Sequence, residues 1–449
     1  MVVQKNKFSG WGNYPVSQGA MLESEGFYKI QQHVSTAEQL TARGNGKSYG
    51  DSALGTCLLS SLRLNKILNF DKNDGCITCE SGVLLSQILE RIVNEGYFLP
   101  VVPGTQWITI GGAIASDVHG KNHIAQGSFS KHVTEIKLLL ACGNTIVCSK
   151  TIEPDLFWAT VGGMGLTGFI LEATFLLSKI QTAYLQTENI FCQNLSQIFR
   201  VLEEKNTYEY KVTWLDTLNP KNNSYRGIVS FARHLLQDEL SEALKQNPFL
   251  QKHQKKYSVP FFLPSWFLNW RLIKFFNLIK WDLQLRVKNK VTVSYPDFFF
   301  PLDSILHWNR IYGRNGFLQY QFVLPNPFAE EGTQKVLDEL FTSNDKCLLA
   351  VIKQFGECDE HSLLSFPLKG FTVSLDFKRT VSLFALLNKL DEIVLKYGGR
   401  IYLAKDARMS LTTMEKGYAK LKEFQNVVKK FNPTKKFISA QAERIGYIK

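Results

Sequence analysis

Acidic residues are scarce in this sequence: 40 Asp and Glu stand against 52 Lys and Arg, a net charge of +12. That imbalance calls for something of opposite sign, whether a phosphate-bearing cofactor, an anionic lipid surface or nucleic acid. No helix-turn-helix, zinc-finger or RNA-recognition signature accompanies the charge, so nucleic acid is not expected. Cysteine patterns are equally thin. Of eight cysteines, Cys76 and Cys79 form a C-x-x-C, but no second pair and no nearby His cluster completes a zinc site. No metal is expected, and isolated thiols suit a reducing compartment. The N-terminal MVVQKNKFSGWGNYPV lacks the apolar core of about 7–15 residues that marks a secretory signal. Residence in the cytoplasm, or peripherally on the inner membrane, is the expectation.

What is present points to packed domains. The chain has 449 residues, 45% of them hydrophobic, which is more than one core usually fills. Up to about residue 180, strand and helix signals alternate. LLSQILERIVNEG (84–96) places its aliphatic residues on one helical face. VTEIKLLLACGNTIVCS reads as two strands around Gly143-Asn144, and LTGFILEATFLLSKI as a further β-rich run. Beyond about 180, longer elements with fewer glycines predict a second domain. Residues 252–300 then mix aromatics with basic side chains, and 251–290 holds nine Lys or Arg against one acid, Asp282. Arg271 and Lys274 interrupt any apolar run of roughly 18 residues, so a membrane-spanning helix is excluded there. The helical spacing between Trp266 and Trp281 suits either a membrane-interface helix or a core-packed helix with a solvated basic face.

Glycine clusters carry the chemistry. ARGNGKSYGDSA (42–53) ends like a nucleotide-phosphate loop, but Thr41 stands where that motif needs glycine, and no helix follows. Gly163-x-Gly165-x-x-Gly168 has dinucleotide-fingerprint spacing, yet FILEATFLL after it is β-rich, so it is read as a tight turn. PGTQWITIGGAIASDVHGKNHIAQGSFSKHV (103–133) joins small residues that permit close backbone approach to a dense group, His119, Lys121, Asn122 and His123. Two such loops about sixty residues apart fit a large phosphate-bearing cofactor clamped from two sides.

RGNGKSYGD and PGTQWITIGGAIASDVHGKNH resemble the cofactor loops of the vanillyl-alcohol-oxidase superfamily of FAD enzymes. DVHGKNH, GSFSKHV, GFLQYQFVLP (316–325) and YLAKDAR (402–408) are similar, more narrowly, to the decaprenylphosphoryl-ribose 2'-oxidase family, in the same order along nearly the whole chain. The resemblance implies an α+β, two-domain PCMH-type FAD-binding fold with an inserted antiparallel-sheet substrate domain. Residues 1–180 would form the FAD domain, 181–400 the substrate domain, and 401–449 a return to the FAD domain. It implies FAD contacts at Ala42, Arg43, Gly44, Asn45, Gly46, Lys47, Ser48, Tyr49, Gly50, Asp51 and Ser52. Further contacts would come from Gly104, Thr109, Ile110, Gly111, Gly112, His119, Gly120, Lys121, Asn122, Ile170 and Tyr402. Lys47 stands where relatives with covalent flavin often carry histidine, so noncovalent FAD is expected.

The implied reaction is oxidation of a ribose 2'-hydroxyl to a ketone with hydride passing to the flavin. Lys405 matches the lysine beside flavin and substrate, and His119, if neutral, would accept the hydroxyl proton. Tyr49, Lys121, Gln319, Tyr320, Gln321, Thr372, Ser374 and Asp376 match positions lining or supporting the substrate site. Ser374 replaces a cysteine of mycobacterial members, which removes the target of thiol-directed inhibitors, and Thr372 replaces an asparagine. The implied partners are a lipid-linked sugar phosphate, a short-chain dehydrogenase/reductase and a peripheral membrane surface. A soluble sugar-lactone or alditol oxidase, or a non-catalytic flavin-binding component of a glycan-synthesis complex, are the competing readings.

Overall fold

The computed structural model describes residues 6–204, 208–220, 224–250, 256–264, 266–286 and 290–448. Of the basic aromatic stretch, residues 252–255, 265 and 287–289 lie outside the described residues.

Two small sheets build the N-terminal unit. The first runs Asn6–Ser9, Val16–Leu22, Cys57–Ser60, Thr41–Arg43. Its strand Cys57–Ser60 pairs in parallel with both neighbours, a geometry that requires crossover connections, and helix Phe27–Thr36 supplies one. The second sheet is antiparallel, in the order Ile67–Asp71, Cys76–Glu80, Phe169–Leu176, Val133–Leu139, Thr145–Cys148. Helix Leu85–Ile92 buries Leu85, Ile88, Leu89 and Ile92, as its aliphatic periodicity dictates. The glycines near 163 do form turns: Gly162, Met164 and Gly165 take positive φ, and the chain enters a strand at Phe169.

The sheets change between Lys179 and Tyr184. From there an antiparallel eight-stranded sheet forms, in the order Lys290–Ser294, Tyr184–Cys192, Gly227–His234, Tyr210–Leu215, Cys347–Phe355, Gly370–Lys378, Phe317–Pro325, Arg400–Ile401. Helices Ala329–Thr342 and Leu383–Lys396 bury their apolar stripes beside it. After the edge strand the chain turns back. Leu40 bridges Phe437, and Thr41 Oγ1 donates to the Ile438 carbonyl at 2.6 Å. The C-terminus thereby becomes part of the N-terminal unit, 397 residues away in sequence.

Helix Trp270–Leu285 is built inside out. Its buried residues are Asn277 and Trp281; Asn277 donates to Asp216 at 2.9 Å, and the Trp281 ring lies 4.5 Å from the Arg226 guanidinium. Phe275, Phe276, Leu283 and Leu285 are more than half exposed, and Trp266 just before the helix is 74% exposed. Of the two sequence readings, core packing with a polar outer face does not hold.

Candidate active site

The two glycine loops lie against each other. Asn45 Nδ2 donates to the Trp107 carbonyl at 2.7 Å, and a Cβ on Gly44 would sit 2.3 Å from Thr109 Oγ1. Thr109 Oγ1 also accepts from Gly112 N at 3.1 Å, starting the short helix Ile110–Ala115. Gly46 takes φ +59, which few side chains tolerate. Around Gly104 there is open space on the Cβ side. These features make a backbone cradle with room beside it, and they fit the phosphates of FAD. Ala42 to Lys47, Gly104 and Thr109 to Gly112 would hold them, with Ile110 buried in the core and contributing main chain alone.

The end of the first loop does other work. Asp51 accepts two hydrogen bonds from Arg444, at 2.8 and 2.9 Å, and a Cβ on Gly50 would meet the Asp406 carbonyl at 1.5 Å. Gly50 and Asp51 therefore brace the C-terminal return through close packing and side-chain bonds, and Ser52 beside them is buried. A carboxylate committed to a guanidinium is in any case a poor neighbour for phosphate. Arg43 likewise spends its guanidinium on the Ala53 and Ser9 carbonyls, both at 2.9 Å. Asn122 donates to Pro100 and Glu209, so its amide is structural too. Ile170 sits in the five-stranded sheet opposite Leu138.

The reactive centre forms where the eight-stranded sheet faces this cradle. Gln321 on strand Phe317–Pro325 uses its amide N–H groups twice, toward His119 Nε2 at 3.0 Å and Thr372 Oγ1 at 3.1 Å. Thr372 in turn donates to the Phe322 carbonyl at 2.8 Å. His119 Nε2 is thus the acceptor, which assigns the ring proton to Nδ1, and Nδ1 is buried with no acceptor. Burial, then the charges of Lys353, His123 and Lys405, hold the His119 pKa well below its ordinary value. The ring is neutral, as a base would need, but its lone pair is taken. In this arrangement His119 offers an N–H donor from Nδ1, a role different from the proton acceptor that the resemblance implies. Thr372, whose hydroxyl accepts from Gln321 and donates to the Phe322 carbonyl, positions Gln321.

A second group holds the charge. Lys405 lies 3.7 Å over the Tyr49 ring, and burial pulls its pKa down to about 7 against the opposing pull of Asp376. Asp376 is raised to about 6 by burial; one oxygen accepts from Gln319 at 2.6 Å and the other is buried and unpaired. Both groups thus titrate near neutrality, and each feels the charge of the other. Lys405 is no surface residue paired with Asp406, because Asp406 is bound by Arg444 at 2.6 Å. Tyr402 closes the site, stacked 4.5 Å from Phe366 and 5.3 Å from His119, with its hydroxyl on the Ser116 carbonyl.

Tyr320 is on the wrong face. Alternation along the strand sends Gln319 and Gln321 toward the cradle and Tyr320 to Asp391, 2.9 Å away behind the sheet. Ser374 stays half-buried opposite Gln321. Lys121 places its ammonium on the Phe298 carbonyl and 4.2 Å over the Phe298 ring. Lys353, absent from the sequence reading, sits across the sheet from Thr372. Its signal was a lysine alternating in register with Leu349 and Val351 inside an apolar strand. Among the described residues no group of His, Cys, Asp or Glu is arranged to hold a metal.

Residues 30–149 match the model of an FAD binding domain. Over its length the chain is similar to decaprenylphosphoryl-beta-D-ribose oxidase of Mycolicibacterium smegmatis, 33% identical across 98% of this chain and 97% of the other. An uncharacterized protein of Streptomyces coelicolor is 29% identical over 81% of this chain and all of its own length. L-gulonolactone oxidase of Mus musculus is 23% identical over 98% of both chains.

Proposed function

This chain belongs to the family of decaprenylphosphoryl-β-D-ribose oxidases, and from that premise we propose that it oxidises the 2'-hydroxyl of a polyprenyl-phosphoryl-β-D-ribose to the 2'-ketone. It is an FAD-dependent oxidoreductase acting on CH–OH groups. The flavin, when bound, supplies the hydride acceptor; the protein supplies position and electrostatics. Lys405 and Asp376 orient the hydroxyl and take up its proton, His119 Nδ1 donates to an oxygen of flavin or sugar, and Gln321 fixes the ring that does so. Lys47, held 3.6 Å over Trp11, offers no histidine for covalent attachment.

One observation carries the choice of a lipid-linked sugar over a free one. The inside-out helix begins at the mouth of the site: Leu268 and Ile273 pack in one cluster with Tyr49 and Phe317, and Tyr49 is the ring under Lys405. A soluble sugar gives no reason for an exposed apolar face there. A prenyl chain and the bilayer that holds it do. The ketone would then be reduced from the opposite face by a short-chain dehydrogenase/reductase, completing epimerisation to the arabinose form for cell-envelope glycans. Borodeuteride reduction of the product tests the regiochemistry: deuterium is expected at C2' of both ribo and arabino isomers, and deuterium at another carbon would refute the assignment.

The same helix is proposed as a peripheral membrane contact, its lysines and arginines meeting anionic headgroups. Among the described residues no helix is long and apolar enough to cross a membrane. In vesicle flotation, the protein is expected to rise with phosphatidylglycerol-containing vesicles, and the Phe275→Ser, Phe276→Ser double variant to stay below with its turnover on detergent-dispersed substrate intact. Equal flotation of the two would remove this contact from the account.

A further inference from the structure

The Lys353 ammonium has none of the companions a lysine in a cleft usually keeps. Among the described residues it meets no carboxylate, no hydrogen-bond acceptor and no aromatic face. The titratable groups that feel its charge are all basic: His119, Lys121, His123 and Lys405. Asp376, the carboxylate of the centre, is coupled to Lys405 instead. Such a concentration of cations is costly without an anion to face it.

Placement narrows what that anion is. Lys353 lies opposite Thr372 in the sheet, and Thr372 bonds Gln321, which in turn bonds His119. Lys121 lies close by on the cofactor side: its main-chain carbonyl accepts from Lys211 N on the neighbouring strand, its ammonium rests on the Phe298 carbonyl, and it feels the Lys353 charge. The flavin phosphates belong at the glycine cradle, in the other unit, so they do not answer for this charge. In a ribosyl 1-phosphate the phosphorus is one atom removed from C1', the carbon next to the reacting C2'. An anion site within a few ångström of the reacting hydroxyl is what that substrate demands. Beyond Lys353 the same sheet face runs on through Val351 and Trp214, which are register partners and half-buried. Lys280 of the inside-out helix lies 4.2 Å over Trp214. Charge thus gives way to an apolar track that ends at the exposed helix, the order of parts in a prenyl phosphodiester.

We propose that Lys353, with Lys121, forms a phosphate-binding subsite for the diester linking sugar to prenyl chain, and that the Val351–Trp214 face seats the first isoprene units. This rests on the substrate class proposed above. Burial pulls the Lys353 pKa to about 8, and an incoming phosphate relieves that strain by keeping the amine charged.

The test uses the holoenzyme with geranyl phosphate and, as its neutral counterpart, geraniol, each followed by isothermal titration. Lys353→Met is expected to weaken geranyl phosphate by about 30-fold, the scale for removing one buried charge partner, and to leave geraniol unchanged. Lys353→Arg, which keeps the charge, is expected to recover most of the loss. FAD content and reduction potential should match the unaltered enzyme in both variants. Unchanged geranyl phosphate affinity, equal weakening of geraniol, or a wild-type enzyme blind to geranyl phosphate would each overturn the subsite. A shifted flavin potential with intact phosphate affinity would reassign Lys353 to the cofactor. If the wild type binds geranyl phosphate in this way but is not reduced by the ribosyl lipid, the subsite stands and the sugar assignment falls.

Discussion

Lys405→Ala is expected to keep its FAD and to lose about 10²–10³-fold in kcat, the range for removing one preorganised electrostatic group at a reacting centre. The reason lies in placement. Lys405 contributes nothing to the glycine cradle, so cofactor retention should not depend on it. Among the described residues it is the cation whose charge acts on Asp376, and the second oxygen of Asp376 is buried with no hydrogen-bond partner. Removing the amine leaves that carboxyl in an apolar setting, where its pKa rises further and it ceases to be a base near neutrality. The loss should therefore be partly recovered as pH is raised, because ionising Asp376 restores the acceptor. Flavin content by absorbance and a kcat–pH profile check both halves. A variant that turns over at the wild-type rate would take Lys405 out of the mechanism.

Arg444→Met is expected to destabilise the protein by about 3–5 kcal/mol, the usual cost of orphaning buried charges. Arg444 holds two carboxylates at once, Asp51 and Asp406, whose side chains are 3% and 2% exposed. Asp406 is itself a fixed point, accepting from Arg408 N at 2.9 Å and Met409 N at 2.7 Å. The guanidinium therefore ties three stretches together: the phosphate loop through Asp51, the Lys405 loop through Asp406, and the C-terminal helix Ala440–Ile445 that bears it. Its loss leaves two adjacent anions away from water, and the second consequence should be release of FAD, because the cradle loses its brace. Equilibrium unfolding in urea and flavin retention on gel filtration measure the two effects. Full stability and full flavin retention would show that the return of the chain is held by apolar packing alone.

Features that depend on local geometry were readable in the sequence. A glycine at φ +59, which few side chains tolerate, or one whose Cβ would strike a threonine hydroxyl on the facing loop, leaves its mark in the sequence as the glycine itself. The α+β fold class and the FAD cofactor followed from such loops together with the family resemblance. The turn at 162–168 was separable from a dinucleotide fingerprint because the next residues favour a strand.

What escaped depends on pairs remote in sequence. The donor role of His119 is set by Gln321, 202 positions away, since imidazole has the same composition in either tautomer. Asp51 looked like part of a phosphate loop because its guanidinium lies 393 positions downstream. Tyr320 was predictable as an outsider, since the alternation that selects Gln319 and Gln321 rejects the residue between them. Lys353 was passed over because a single lysine in a strand usually lies at an edge, and nothing in CLLAVIKQF says that this strand is central. The inside-out helix was undecidable for a different reason: apolar and basic residues alternate at the same spacing whichever face is buried, and Asn277 bonding Asp216 is what settles it.

The most direct test of the central claim is the absorption spectrum of the oxidised holoenzyme mixed anaerobically with polyprenyl-phosphoryl-ribose. The expected result is loss of the oxidised-flavin band with the ribosyl lipid, and none with L-gulono-1,4-lactone or free alditols. Bleaching by the lactone alone would contradict the lipid-linked assignment and favour a soluble sugar oxidase, and a spectrum unchanged by any sugar would leave a flavin-binding protein without this catalysis.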